Sequence, residues 1–285
     1  MSSSTFALHT PGAARLRSFV WPREHGAWGM LLVPLATGAV LGRPVGNRIV
    51  LVLLLAVGAL GLFCLRTPLE AWLGISPWRA QNPRERRVII HSIYIYTSVS
   101  LGALAILLWQ IRSYGLFLVG AAAAAAFLGQ ALLKSRGRQT RMAVQLVGSI
   151  GLTATAAAAY YVASARLDTA ALVIWAANWV FSANQILYVQ TRIHSTRAAT
   201  LSERLARGKW LILGEIVMAL SLALAWRKGW LPSLALLAFA PVLGRGLLWS
   251  FSSTSHLQIR RLGITELLHA VLFAALLIVG FHVSG

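Results

Sequence analysis

Three side chains that could bind an anion or move a proton stand directly before the first apolar run, in WPREHGAWGMLLVP (residues 21–34). Arg23, Glu24 and His25 supply a guanidinium, a carboxylate and an imidazole, which are groups used in anion binding and general acid–base chemistry. The chain has only seven Asp and Glu residues, so a carboxylate here is conspicuous. Two interpretations remain open: a chemical site, or a polar collar that holds a helix end at a membrane surface. Neighbouring residues lie about 100° apart on a helix, so we expect Glu24 inward beside an arginine and His25 at its edge.

A second polar stripe occurs in SANQILYVQTRIHSTR (residues 182–197). Asn184, Tyr188 and Arg192 are spaced by four residues and therefore share one helix face. An amide, a phenol and a guanidinium on one face suit a phosphate or carboxylate group. The alternative is that Tyr188 and Arg192 anchor the helix at the membrane interface while Asn184 bonds a neighbouring helix.

Arg245 is the costliest charge to bury, because it lies within an apolar run and between two glycines, in LGRGLL (residues 243–248). Glu215 and Glu266 are the counter-charges expected at a similar depth. Arg245 is then either one half of a structural Arg–Glu pair or a cavity residue that binds an anion. Gly244 and Gly246 would let a ligand or a partner helix come close.

The segment ITELLHAV (residues 264–271) places Glu266 and His269 three residues apart, which is half of a di-iron carboxylate motif. The chain has no second Glu-x-x-His to complete it, and a hydrogen-bonded Glu–His pair is the commoner arrangement. His25, His91, His256 and His269 are predicted to lie near one leaflet, but the chain has no C-x-x-C-H motif for haem. We therefore predict no metal site and assign no cofactor.

The elements that must position these residues are membrane helices. Of the 285 residues, 58% are hydrophobic and 12% are charged, against about 25% charged in soluble domains. Apolar runs long enough to cross about 30 Å of hydrocarbon recur along the chain, so the predicted fold class is an all-α polytopic membrane bundle. The net charge of +19 fits the positive-inside rule, and no nucleic-acid partner is expected.

Nine transmembrane helices are predicted. They cover roughly residues 27–42, 48–66, 91–110, 114–134, 142–163, 169–190, 210–227, 230–250 and 264–283. Nineteen of the 26 Lys and Arg residues then fall on one side and six on the other, with Arg245 inside a span. This bias predicts a cytoplasmic N-terminus and an external C-terminus.

We expect residues 1–26 to be a cytoplasmic tail and residues 27–285 to be a single transmembrane domain. The predicted cytoplasmic loops lie at about 67–90, 134–141, 191–209 and 251–263. Their basic residues are expected to touch anionic lipid headgroups.

The intramembrane polar residues concentrate toward the cytoplasmic side, which predicts a basic cavity open to the cytoplasm. The outer halves of the spans are apolar, which disfavours an open channel. The residues predicted to move protons are Glu24, His25, Glu266 and His269. Those predicted to bind or orient a substrate are Arg23, Arg66, Asn184, Tyr188, Arg192, Glu215 and Arg245.

The segments PREHGAWGMLLVP, YVQTRI and GITELLHAVLF resemble the YwiC-like family of bacterial membrane proteins. The resemblance extends over most of the chain, and the opening heptapeptide PREHGAW is its most specific part. It implies a multi-pass protein of the bacterial cytoplasmic (inner) membrane and supplies no mechanism.

The predicted architecture is also similar to that of the UbiA-type intramembrane prenyltransferases, which have nine helices and a cytoplasm-facing cavity. Their aspartate-rich motifs follow the second and sixth helices, where this chain has Arg66 and Glu70, and Gln190 and Arg192. The ligands for a magnesium–diphosphate route are therefore missing.

Three functions remain open. The first is a protein of the cytoplasmic leaflet that binds or converts an anionic amphipathic substrate, such as a lipid or isoprenoid. The second is a secondary transporter of a small anion. The third is an accessory or assembly factor of a respiratory complex, in which the polar cluster is structural.

Overall fold

The computed structural model describes residues 11–22, 25–74, 76, 80–112, 114–136, 140–197, 200–251 and 258–284. Every regular element in these residues is helical, which confirms the predicted all-α class. The helices are α1 (Pro11–Val20), α2 (His25–Leu41), α3 (Asn47–Trp72), α4 (Pro83–Ile111), α5 (Gly115–Ser135), α6 (Arg141–Thr153), α7 (Thr155–Ser164), α8 (Thr169–His194), α9 (Leu201–Arg207), α10 (Lys209–Arg227), α11 (Ala240–Phe251) and α12 (Ile259–Ser284). Short 3₁₀ helices cover Ser195–Arg197 and Ser233–Phe239.

Seven of the described helical segments are long and apolar enough to cross a membrane. They are α3, α4, α5, the combined α6–α7, α8, α10 and α12. Two shorter apolar helices, Gly26–Leu41 and Ser233–Trp249, fall where the first and eighth spans were predicted. The chain is therefore a multi-pass helical membrane protein.

Two helices extend beyond their predicted spans. α3 continues to Trp72, and an ion pair between Arg66 Nε and Glu70 Oε1 (3.1 Å) joins two positions one turn apart in this extension. α4 begins at Pro83, where the side chain of Asn82 accepts a hydrogen bond from the backbone N–H of Glu85 (2.8 Å). Hydropathy identifies only the apolar part of a helix and not its polar extensions. The predicted spans were therefore shorter than the helices.

The contacts within the chain divide it into two compact units, Met1–Glu24 with Leu53–Gln110, and His25–Val52 with Ile111–Gly285. In the first unit, α1 is a helix that the sequence pattern did not indicate. Its Phe19 is fully buried against Ala71 and Ile89. Arg15 Nε and Glu85 Oε1 form an ion pair at 2.7 Å, so α1 is fixed by both apolar and charged contacts.

In the second unit, α2 and α7 approach unusually closely. A Cβ atom added to Gly38 would collide with the backbone carbonyl of Ala156, so only glycine allows this approach. On the same helix, Thr37 accepts a hydrogen bond from Asn178 Nδ2 of α8 (3.0 Å), and both side chains are buried. The bond satisfies two polar groups that would otherwise be buried unpaired.

A mostly apolar core joins α8, α10, α11 and α12 in this second unit. The rings of Phe181 and Phe273 stack with centroids 4.1 Å apart, and Phe239 meets Phe273 edge-on at 5.2 Å. This packing fixes the rotation of α8 and α12 about their axes. It therefore also determines which polar residues of the two helices face inward.

Candidate functional site

The buried face of α12 includes one carboxylate, that of Glu266. Glu266, Ala270, Phe273 and Leu277 are spaced by four, three and four residues, and all four are buried. Residues at this spacing lie on one helix face. The same rotation that packs Phe273 into the aromatic core therefore turns Glu266 inward.

Helix α8 brings its polar residues inward in the same way. Phe181, Asn184, Gln185 and Tyr188 are all buried, with Asn184 only 2% exposed. Phe181 belongs to the apolar core, and the other three follow it within two turns. The predicted shared face of Asn184 and Tyr188 is thus directed toward α11 and α12.

Four side chains from four helices form one polar network, which we call the Arg245 cluster: Asn184, Glu215, Arg245 and Glu266. Arg245 Nη1 donates to Glu266 Oε2 in a charged hydrogen bond, and Arg245 Nη2 donates to Asn184 Oδ1 at 2.9 Å. Asn184 Nδ2 then donates to Glu215 Oε1 at 3.0 Å. The amide thus bridges the arginine and the second carboxylate.

Two further residues hold the charged centre of the cluster. The Arg245 guanidinium carbon lies 3.9 Å from the centroid of the Tyr188 ring, a cation–π contact. Gln185 Nε2 donates to the backbone carbonyl of Glu266 at 2.8 Å. The side chains of Arg245 and Glu266 are only 9% and 11% exposed, so their pairing offsets a large loss of hydration.

The two glycines that flank Arg245 have different surroundings. A Cβ at Gly246 would run into the carboxylate of Glu215, so Gly246 makes room for that carboxylate. A Cβ at Gly244 would meet nothing within 4 Å, and Gly244 lines an adjacent pocket. One glycine thus accommodates the cluster, while the other leaves space beside it.

The network leaves some hydrogen-bonding capacity unused. Glu215 Oε2, Arg245 Nε and Glu266 Oε1 are buried and have no hydrogen-bond partner among the residues that the structure describes. Buried polar atoms are usually satisfied by protein, ordered water or a ligand. The cluster therefore has one donor atom and two acceptor atoms without a described partner.

A pocket of about 420 Å³ adjoins the Arg245 cluster. Its polar lining comes from Tyr188, Arg192, Arg245 and His269, and the rest of its lining comes from Pro241, Gly244, Leu248 and Trp249. Arg192 Nη1 donates to the Tyr188 hydroxyl at 3.5 Å, and Arg192 has no ion-pair partner in the described part of the chain. The two carboxylates of the cluster do not line this pocket, so its wall is cationic and aromatic.

His269 bonds its own helix rather than the neighbouring carboxylate. Its Nδ1 lies 2.7 Å from the Thr265 carbonyl oxygen, whereas the Glu266 carboxylate bonds Arg245. The Glu–His pair considered from the sequence is therefore not the arrangement that the structure has. Since a carbonyl only accepts hydrogen bonds, Nδ1 is the donor in this contact.

The remaining predicted site residues belong to the first unit or lie outside the described residues. Arg66 pairs with Glu70 within the first unit. Arg23, Glu24, the side chain of His25, and His256 lie outside the described residues. In the described ranges, no three His, Cys, Asp or Glu side chains are grouped as a metal site.

Sequence reasoning missed three pocket residues on α11, namely Pro241, Leu248 and Trp249. Together with Arg245 they follow the three- and four-residue spacing of one helix face. This spacing could have indicated that the three residues share a face with Arg245. Because they are apolar, however, the sequence alone does not distinguish them from residues that face lipid. The link from Asn184 to Glu215 left no signal, since it joins two helices distant in sequence.

Several helices long and apolar enough to cross a membrane, with a buried, hydrogen-bonded ion pair between them, define a multi-pass membrane protein with a buried polar site. Residues 21–161 match the model of a family described as YwiC-like protein, which confirms the resemblance to that family over these residues. Neither the curated proteins nor the solved structures gave a match to the chain. The matched residues include the opening PREHGAW, whereas the Arg245 cluster lies beyond them.

Proposed function

We propose that the protein binds an anionic amphipathic molecule, such as a phosphorylated isoprenoid or an anionic lipid, in the pocket beside the Arg245 cluster. The observation that carries this proposal is the Arg192 guanidinium, which lines the pocket without a carboxylate partner in the described residues. Arg245, which pairs with Glu266, and His269 also line the pocket. A phosphate or carboxylate group would supply the missing counter-charge.

The apolar side of the pocket suits the tail of such a molecule. Leu248 lines the pocket and is 70% exposed, and its neighbour Leu247 is 61% exposed. In a membrane helix, exposed leucines face acyl chains. If the headgroup binds at Arg192, the tail can extend past Leu248 into the lipid. A pocket that is open to lipid on one side is expected for a protein that handles lipids.

The proposed setting is a nine-helix bundle of the bacterial inner membrane with a cytoplasmic N-terminus. The two shorter apolar helices would then cross the membrane together with the seven long ones. The excess of Lys and Arg on one side supports this orientation, in which the pocket would lie toward the cytoplasm. The basic loops on that side would contact anionic headgroups, and His269 would be the proton carrier nearest the bound group.

Replacing Arg192 with glutamine should weaken binding of farnesyl phosphate to the purified protein by about tenfold or more. A hydrogen bond to a charged group contributes roughly 1.5–3 kcal/mol, and each 1.4 kcal/mol is about a factor of ten. The measurement is a titration of the protein in a neutral detergent. Arg260→Gln is the matched control, because it removes the same charge from an exposed residue of α12 that does not line the pocket.

Two further probes separate the contributions of head and tail. Farnesol keeps the apolar tail without the anion, and inorganic phosphate keeps the anion without the tail. The proposal predicts that both bind more weakly than farnesyl phosphate. Equal binding of farnesol and farnesyl phosphate, or equal weakening by Arg192→Gln and Arg260→Gln, would contradict it and leave the cluster with a structural role.

A further inference from the structure

A second cationic pocket lies at the other end of α12. Its volume is about 760 Å³. Its lining includes Arg43, Arg48, Tyr160, Arg166 and His282. At a rise of about 1.5 Å per residue, His282 lies roughly 24 Å along α12 from Glu266 of the Arg245 cluster.

Asp168 is a described carboxylate near this pocket, but it forms no ion pair with the arginines that line it. None of Arg43, Arg48 and Arg166 has an ion-pair partner within the described residues. Arg48 is held in place by a hydrogen bond from Nη1 to the Val162 carbonyl (2.8 Å), which uses one of its several N–H donors. The nearby Asp168 caps α8, accepting from the Ala171 N–H at 3.1 Å.

The partial charges at the surrounding helix ends do not offset the charge of the three arginines. The C-terminal ends of α2, α7 and α12 meet here, and each carries about half a negative charge, which favours nearby cations. The N-terminal ends of α3 and α8 also lie here and carry the opposite sign. The partial charges therefore largely cancel, and the three guanidinium groups remain a positive excess.

The backbone conformation at the edge of the pocket does not by itself explain why residue 43 is an arginine. Arg43 has φ 52° and Ala165 has φ 63°, both in the left-handed region just beyond the ends of α2 and α7. Glycine adopts this conformation most easily, and is the usual residue at such a helix end. An arginine at residue 43 is therefore not the choice that backbone geometry alone would favour.

This pocket is separate from the one beside the Arg245 cluster. Between the two on α12 lie Ala270, Phe273 and Leu277, which are buried in the aromatic and aliphatic core. The two pockets share no lining residue and are distinct sites.

We propose that Arg43, Arg48 and Arg166 form a binding site for a phosphate-type oxyanion. Guanidinium groups match the geometry of phosphate oxygens and bind them through paired N–H donors. The same chemistry is offered by a free phosphate compound and by a phospholipid headgroup. This site does not depend on the function proposed for the pocket beside the Arg245 cluster.

The test is binding of inorganic pyrophosphate, measured by calorimetry on the full-length protein in neutral detergent. Arg166→Gln should weaken binding at least fivefold, and Arg48→Gln should do the same if that variant folds. Arg166 is exposed and its side chain makes no hydrogen bond or ion pair with the described residues, so its substitution should not disturb folding. Arg227→Gln is the matched control, being an exposed arginine outside the pocket.

A second arm distinguishes the sources of the anion. The protein is placed in nanodiscs of phosphatidylcholine alone or of phosphatidylcholine with phosphatidylglycerol. If phosphatidylglycerol lowers the pyrophosphate affinity of the wild type, the site takes a lipid headgroup, and if it does not, the site takes a soluble oxyanion. Absence of pyrophosphate binding, or equal affinities of the Arg166→Gln and Arg227→Gln proteins, would overturn the proposal.

Discussion

Replacing Glu266 with glutamine is expected to lower the free energy of unfolding by about 3–5 kcal/mol, the range for removing one partner of a buried ion pair. The Glu266 carboxylate bonds Arg245, and both side chains are about nine-tenths buried. A neutral amide keeps the shape but cannot compensate the guanidinium. The cost arises because a buried charge is left without its partner.

Thermal unfolding in detergent measures this effect, with Glu70→Gln as the control. Glu70 also pairs with an arginine, Arg66, but both side chains are about 30% exposed. Pairs of that kind contribute about 0–1 kcal/mol, so the control should unfold close to the wild type. The double variant Arg245→Met with Glu266→Leu should recover part of the loss, because it removes both charges. Equal unfolding temperatures for Glu266→Gln and Glu70→Gln would show that the pair is not buried in a low-dielectric site.

Substitution of Gly38 by alanine is expected to be the second large effect. The added Cβ would meet the carbonyl oxygen and carbon of Ala156, which are backbone atoms and cannot rotate away. Overpacking of this kind costs about 1–3 kcal/mol, and the helices α2 and α7 would have to separate. This loss exceeds the gain of roughly 0.5–1 kcal/mol that alanine brings to a helix interior.

Gly102→Ala is the matched control for this substitution. Gly102 lies within α4, and a Cβ there would meet nothing within 4 Å. It should therefore raise the unfolding temperature slightly, through helix propensity alone. If Gly38→Ala also raised it, the close approach of α2 and α7 would be refuted.

The positions of the helices were largely predictable from hydropathy. Burial of long apolar runs in lipid requires helices, because the backbone groups must be satisfied within the segment. Asn184 and Tyr188 could be placed on one face by their spacing, and Arg245 could be given Glu215 and Glu266 as neighbours by depth. These inferences need only the period of the helix and the unequal distribution of Lys and Arg between the two sides of the membrane.

Contacts between distant helices were not predictable in the same way. Helix α1 is too short and polar to register as a span, yet Phe19 is fully buried. Arg43, Arg48 and Arg166 counted only as minority charges on one side, since nothing in their spacing shows that the ends of five helices meet there. Such arrangements depend on the packing of whole helices, as at Gly38, and not on local periodicity.

Native mass spectrometry of the gently purified protein tests the central claim most directly. The wild type is expected to carry an anionic amphiphile of defined mass, which Arg260→Gln retains and Arg192→Gln loses. A wild-type protein that carries no anionic amphiphile, or an Arg192→Gln protein that retains it at equal occupancy, would contradict the assignment of the pocket beside the Arg245 cluster as its binding site.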